Sequence, residues 1–261
     1  MSAIPNYVPG HGLLKGKSVL ITAAAGAGIG FSAARKCAEE GCRALMISDI
    51  HPRRLEEAVA KLKAETGLEV IWGRLCNVAD EGEVQALIAD AEEKLGGVDV
   101  LINNAGLGGQ RRVTEMSDEE WHRVLDITLT GTFRMTRAML PAMQNRGRGV
   151  IVNNASVLGW RAQKEQAHYA AAKAGVMAFT RCAAVEAAEF GVRINAVAPS
   201  IALHDFLKKA SSEELLAQLA SREAFGRAAE VWEVANVMVF LASDYASYMT
   251  GEVLSVSSQH A

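Results

Sequence analysis

What this chain of 261 residues lacks narrows its function before any motif is considered. Its four cysteines (Cys37, Cys42, Cys76 and Cys182) are scattered, with no C-x-x-C pair. That excludes a disulfide framework, gives no sign of a metal site, and suits small buried hydrophobes in a reducing cytosol. Strong charge of either sign is missing: the net charge is -3 and the pI about 6.1, which argues against a nucleic-acid binder. There is no membrane-spanning run, because the longest uncharged stretch, residues 18–34, is interrupted by glycines. The opening MSAIPNYVPGHG has neither a basic region nor an apolar core, so no signal peptide is expected and the expected location is cytoplasmic. No repeat, low-complexity tract or linker rich in Pro, Gly or Ser divides the chain.

What remains is a chain that is 50% hydrophobic, ample for a large core, in which strand-like and helix-like segments alternate. SVLIT is followed by AAAGAGIG and the helix-like FSAARKCAEEG; ALMIS ends at Asp49; VDVLINNAG, GVIVNNASVLG and FGVRINAVAPS are further buried strands between amphipathic stretches. Such alternation implies right-handed βαβ crossovers and a parallel sheet covered on both faces. The expectation is an α/β Rossmann-type, doubly wound sheet of about seven strands: an irregular arm over residues 1–16, then one catalytic domain over 17–261. A strand, a glycine turn and a helix set backbone N–H groups and a helix N-terminus where a pyrophosphate can rest. Asp49, nineteen residues after Gly30, stands at about the offset of a carboxylate that binds ribose hydroxyls. A carboxylate there favours NAD over NADP, whereas Arg53 and Arg54 close behind it argue the other way or belong to a solvated helix start. Ser117 and Glu120 form a capping-box signal for a long apolar helix.

The chemistry concentrates in residues 153–176. Tyr169 and Lys173 lie four apart in the alanine-rich AHYAAAKAGVMAF, so on a helix they share a face and one pocket. A cation beside a phenol favours the phenolate, making the tyrosine a usable acid/base near neutrality. Ser156 follows the apolar run VIV, where a strand end would present its hydroxyl to a substrate oxygen. The plain alternative is an ordinary helix carrying a solvated lysine.

Ser156, Tyr169 and Lys173 with this spacing, the N-N-A-G of residues 103–106 and the glycine turn together resemble the short-chain dehydrogenase/reductase family over nearly the whole chain. The resemblance implies hydride exchange between NAD(P) and a carbinol or ketone carbon. Ser156 would position the oxygen, Tyr169 would move the proton, and Lys173 would hold the tyrosine and the nicotinamide ribose. It further implies cofactor contacts from Gly26, Gly28, Ile29 and Gly30, from Asp49, from Asn77 and Val78 at the adenine, from Asn104, Ala105 and Gly106, and from Pro199 and Ile201. Departures stand out. Ala24 occupies the first glycine position and Thr22 lies one residue early; Thr128 replaces an asparagine that helps hold a water in the proton path; Pro199-Ser200 replaces Pro-Gly; His204 stands where a threonine normally meets the nicotinamide amide. His204 is then either a substrate contact or a surface histidine.

The combination T-A-A-A-G-x-G-I-G, P-S-I-A-x-H and the ending V-S-S-Q-H-A is similar to an actinobacterial subgroup associated with sterol catabolism, whose members act on CoA thioesters of ring fragments. Arg111, Arg112, Arg161, Lys164, Lys208 and Lys209 are candidates for a CoA phosphate, or are solvated charges. Trp160 and Phe206 face a bulky substrate or pack a lid, expected around residues 200–226. The alternatives are an NADPH-dependent 3-oxoacyl thioester reductase and, from another class, a non-catalytic nucleotide-binding protein on the same fold. The apolar helix WHRVLDITLTGTFRMTRAML suggests subunit pairing, and the resemblance implies a homotetramer, with a dimer as the alternative.

Overall fold

The computed structural model describes residues 3–204 and 212–258. The strands are β1 (Ser18–Ile21), β2 (Ala44–Asp49), β3 (Ile71–Leu75), β4 (Val100–Asn103), β5 (Gly149–Asn154), β6 (Val192–Pro199), β7 (Ala202–Leu203), β8 (Ala229–Glu230) and β9 (Val253–Val256). Seven of them form one sheet in the order β3-β2-β1-β4-β5-β6-β9, with every pairing parallel. This is the doubly wound sheet expected from the alternation. β1 and β4 are neighbours although two βα units separate them in sequence, so the order reverses between them. A ligand crevice is expected outside the carboxyl ends of strands at such a reversal.

The helices are α1 (Ile29–Glu39), α2 (Pro52–Thr66), α3 (Glu81–Leu95), α4 (Asp118–Leu125), α5 (Gly131–Arg146), α6 (Ala167–Ala188), α7 (Glu213–Ser221) and α8 (Val231–Ala242). Two apolar layers result. Val19, Ile21, Ile47, Ile102 and Val152 face α1 and α8, while Leu20, Met46, Leu101 and Ile151 face α3, α5 and α6. The alternation of side chains along a strand sends successive residues to opposite layers, and burial on both faces explains why these strands read as unbroken apolar runs.

Three features were not anticipated. The long apolar helix is α4 and α5 joined by a π-helical stretch, Asp126–Thr130, after the expected Ser117–Glu120 capping box. β7 and β8 pair with each other as a separate two-stranded ladder. The N-terminal arm is without regular structure over residues 3–11 but is strapped onto α1. Lys36, in a buried pair with Glu40 at 3.2 Å, donates to the Val8 carbonyl, and Glu40 accepts from the backbone of His11 and Leu13.

Candidate active site

The glycine turn leaves β1 at Thr22. The Thr22 hydroxyl accepts from the backbone N–H groups of Asn104 and Ala105, both at 3.0 Å, and so ties the ends of β1 and β4 together. The Asn104 amide donates back to the carbonyls of Thr22 and Ala23 at 3.1 and 2.9 Å. Ala23 is held at φ 51°, in the left-handed region that favours glycine. A side chain at Gly30 would come within 2.4 Å of the Asn104 amide and 2.5 Å of the Ala23 carbonyl, so only glycine lets α1 seat this close. Gly26 has open space where a side chain would be, and Gly28 caps α1 with no side-chain cap and no acid in the first turn. Free N–H groups at that helix end fit an anionic diphosphate.

Asp49 ends β2, 9% exposed, and accepts from the backbone N–H groups of Ala25 at 3.2 Å and His51 at 3.1 Å, with Arg54 at 3.6 Å. Burial pushes its carboxyl up, partly opposed by the Ala25 N–H and Arg54. Arg53 is paired with Glu57 in solvent, so of the two candidate arginines only Arg54 is near Asp49. Asn77 is exposed and its side chain caps the backbone of Ala79, while Val78 is buried against Gly131. An open groove of about 1240 Å³ runs from Ile50 and Asn77 down between α2 and α3, remote from Tyr169.

The three residues singled out for chemistry come together. Ser156 follows β5 and Tyr169 and Lys173 project from α6; the Ser156 hydroxyl is near enough to the Tyr169 phenol to act on its titration, and the Lys173 ammonium lies 5.6 Å from the centre of the phenol ring. The Lys173 ammonium also donates to the Asn154 carbonyl. Their electrostatics differ from the expectation that the lysine would lower the phenol. Desolvation by burial raises Tyr169 above its usual 10, with the Ser156 hydroxyl opposing it, and burial alone pushes Lys173 down to about 7. The reason is that Lys173 is buried and Tyr169 partly so, and loss of hydration there outweighs the attraction of a cation for a phenolate.

Thr128 lies in the π-helical stretch, fully buried. Its hydroxyl accepts from the Leu107 N–H at 2.9 Å and donates to the Leu107 carbonyl at 3.2 Å, which fixes the loop after Gly106. Gly106 lies between Thr128 and Lys173, and Gly108 packs on the Tyr169 ring. Pro199 closes β6, and the Ile201 carbonyl accepts from Ala229. His204 is partly buried, and its ring stands 3.8 Å from where a Gly28 side chain would begin, over the glycine turn. Among the proposed CoA contacts, Arg111 pairs with Glu120 at 2.9 Å, Arg112 with Glu165 at 3.6 Å, and Arg161 bonds Ser257 at 3.4 Å. Lys164 and Trp160 are exposed, whereas Phe206, Lys208 and Lys209 lie outside the described residues. Asn154 went unnoticed in the sequence. Its signal was there: a polar residue beside Asn153 in a strand otherwise made of apolar residues.

A family model described as enoyl-(acyl carrier protein) reductase matches residues 23–258. The chain is 59% identical over its full length, and over 99% of the relative, to the (5R,7aS)-5-hydroxy-7a-methyl-1-oxo-2,3,5,6,7,7a-hexahydro-1H-indene-carboxyl-CoA reductase of Mycobacterium tuberculosis. It belongs to the short-chain dehydrogenase/reductase family. A 3-oxoacyl-[acyl-carrier-protein] reductase of Staphylococcus aureus is 37% identical, covering 92% of this chain and 96% of the relative. The crystal structure of a short-chain dehydrogenase from Mycobacterium smegmatis covers 99% of both chains at a TM-score of 0.88 and 57% identity. An actinorhodin polyketide ketoreductase solved with NADPH gives 0.87 at 34% identity, covering 93% of this chain and 96% of that one. The chain is therefore an oxidoreductase of a family that works with NAD(P), and the expected resemblance is borne out.

Proposed function

We propose that this enzyme interconverts a secondary alcohol and a ketone on the CoA thioester of a bicyclic, sterol-derived ring fragment, using NAD. The observation that carries the chemistry is the convergence of Ser156, at the end of β5, with Tyr169 and Lys173 on α6, the Lys173 ammonium 5.6 Å from the centre of the phenol ring. The 59% identity over the full chain to an indene-carboxyl-CoA reductase supports the substrate class. The buried carboxylate of Asp49 supports NAD, because a 2′-phosphate would be repelled there.

When bound, the nicotinamide supplies or accepts the hydride. Ser156 hydrogen-bonds the substrate oxygen and holds its carbon in line for that transfer. Tyr169 accepts the hydroxyl proton in oxidation and donates one to the carbonyl oxygen in reduction. Its raised pKa suits the donor role, keeping the phenol protonated at neutrality. Lys173, anchored on the Asn154 carbonyl, orients Tyr169 and holds the nicotinamide ribose. Gly26, Gly28, Ile29 and Gly30 would receive the diphosphate, with Asn77 and Val78 at the adenine, Asn104, Ala105 and Gly106 beside the adenosine ribose and its phosphate, and Pro199 and Ile201 at the nicotinamide. Of the lid expected over residues 200–226, residues 205–211 lie outside the described residues.

No described helix is long and apolar enough to cross a membrane, which agrees with a cytoplasmic setting. The edge-to-face pair Phe133–Phe179, with Phe133 37% exposed, supports α5 and α6 as a subunit contact in a homotetramer. Light scattering that reported a monomer would refute that assembly.

The decisive experiment titrates the protein with NADH and NADPH by fluorescence, then follows turnover on bicyclic ring-fragment and 3-oxoacyl CoA thioesters, with Tyr169→Phe in parallel. The reading requires tighter NADH binding, preference for the bicyclic thioester, and a loss of at least about a hundredfold in turnover in the variant with NADH binding kept. Preference for NADPH and linear 3-oxoacyl thioesters would instead support a biosynthetic reductase, and unchanged turnover in Tyr169→Phe would refute the acid/base assignment.

A further inference from the structure

The side chain of Asn154 occupies an unusual junction. Its backbone carbonyl anchors the Lys173 ammonium, while its side-chain amide donates to the Asn104 oxygen at 3.0 Å. The orientation of both amides is fixed by the network. The Asn104 nitrogen gives its hydrogens to the carbonyls of Thr22 and Ala23, so the atom Asn104 shows Asn154 is its oxygen. Asn154 must then answer with its nitrogen, which turns its own Oδ1 the other way. That oxygen is buried and has no hydrogen-bond partner among the described residues. Asn103 and Asn153, one residue earlier on the same two strands, behave differently. They bond to each other at 2.9 Å and on to Thr136 and Thr180, on the opposite face of the sheet. The face that carries Asn104 and Asn154 is the one under the glycine turn.

A buried acceptor without a donor is costly, and at a site it calls for a group that donates to it. Ser156, two residues on, already accepts from the Leu158 N–H. On the dinucleotide-binding reading given above, we infer that Asn154 is a cofactor-binding residue whose Oδ1 accepts a hydrogen bond from the nicotinamide-ribose half of the dinucleotide. Its amide nitrogen, bonded through Asn104 to Thr22 and Ala23, holds that acceptor in register with the glycine turn. The residue thus anchors the lysine through its backbone and reaches Asn104 through its side chain, and only the second bond would be lost with an aliphatic residue at this strand position.

The test is the dissociation constant of NADH, ADP-ribose and ADP for the wild type and Asn154→Leu, measured by calorimetry on the intact protein. ADP carries the adenosine diphosphate but lacks the second ribose and the nicotinamide. Asn154→Leu is expected to weaken NADH about three- to tenfold, the worth of one neutral hydrogen bond, and to leave ADP unchanged. ADP-ribose weakened together with NADH identifies a ribose hydroxyl as the donor; ADP-ribose unchanged identifies the carboxamide. Either result supports the inference. Unchanged NADH binding overturns it, and so does equal weakening of ADP, which would mean that Asn154 acts only by propping the glycine turn. Asn154→Ala serves if the leucine variant does not fold. A wild-type protein that binds none of the three ligands would refute the dinucleotide reading itself.

Discussion

Lys173 offers the most searching test of the site's electrostatics. It is 3% exposed, and burial pushes its ammonium down to about 7. In the unfolded chain the same group titrates near 10.4. Between those two values the unfolded state holds the proton that the folded state has lost. Stability therefore rises with pH across that window, and the penalty for burying the charge is fully present only below about 7. At 1.36 kcal/mol per pH unit, and with the folded lysine half protonated at the start, the gain between pH 7 and pH 9 is about 2 kcal/mol. Lys173→Met keeps the length and bulk of the side chain and removes the titration.

Urea unfolding of both proteins at pH 7, 8 and 9, at one fixed protein concentration because subunit association adds to apparent stability, reads the effect directly. Loss of the hydrogen bond to the Asn154 carbonyl shifts the methionine variant by a constant. The pH slope is what reports the lysine. The stability of the wild type relative to the variant should climb by about 2 kcal/mol from pH 7 to pH 9. A difference that stays flat within roughly 0.5 kcal/mol would refute the argument that desolvation governs this lysine, and would restore the picture of a permanent cation lowering the Tyr169 phenol.

Three other substitutions probe the frame around the site. Gly30→Ala drives a methyl group into the Asn104 amide and the Ala23 carbonyl, and should abolish NADH binding in a fluorescence titration, because the turn must shift to admit it. Ala23→Gly relieves a left-handed alanine at φ 51° and should raise stability by about 1 kcal/mol, read as a higher urea midpoint with an unchanged slope. Thr128→Val leaves the Leu107 N–H and carbonyl without their buried partner and should destabilise by about 1–3 kcal/mol, while lowering kcat more than the KM for NADH.

Much of this was legible in the residue order because it depends on local pattern. The strands are buried on both faces, so they read as apolar runs; the helix that carries Tyr169 and Lys173 fixes their common side by its period alone. The meeting of Ser156 with Tyr169 could be read because a strand end and the following helix are the same sheet edge. What was not legible depends on contacts between distant segments. The π-helical stretch at Asp126–Thr130 arises where Thr128 engages Leu107, twenty-one residues earlier. The position of His204 over Gly28 follows from the return of the chain past β6, which no spacing reveals. The direction of the Tyr169 shift departs from expectation for the same reason: charge pairing can be guessed from neighbours in sequence, whereas depth of burial is a property of the whole fold.

The altered glycine turn shows how those distant contacts make a departure tolerable. Alanine at 23 and 24 removes the conformational freedom that a glycine normally gives the first bend, and Ala23 takes the left-handed conformation regardless. That costs about 1–2 kcal/mol for a residue with a side chain. Two hydrogen bonds to the Thr22 hydroxyl, two from the Asn104 amide and one from Ala24 to the Ser48 carbonyl fasten the turn on three strands at once. At about 0.5–1.5 kcal/mol net for each, these bonds outweigh the strain. Gly30 then performs the one task an alanine could not, the close seating of α1 against Asn104. Asn104 depends in turn on Asn154 for its remaining bond. The alanines of the turn and Asn104 thus belong to one network, so the turn should tolerate its alanines only while Asn104 remains. Ala23→Gly should accordingly stabilise the Asn104→Ala protein by more than it stabilises the wild type, and purely additive effects of the two substitutions would disprove the coupling.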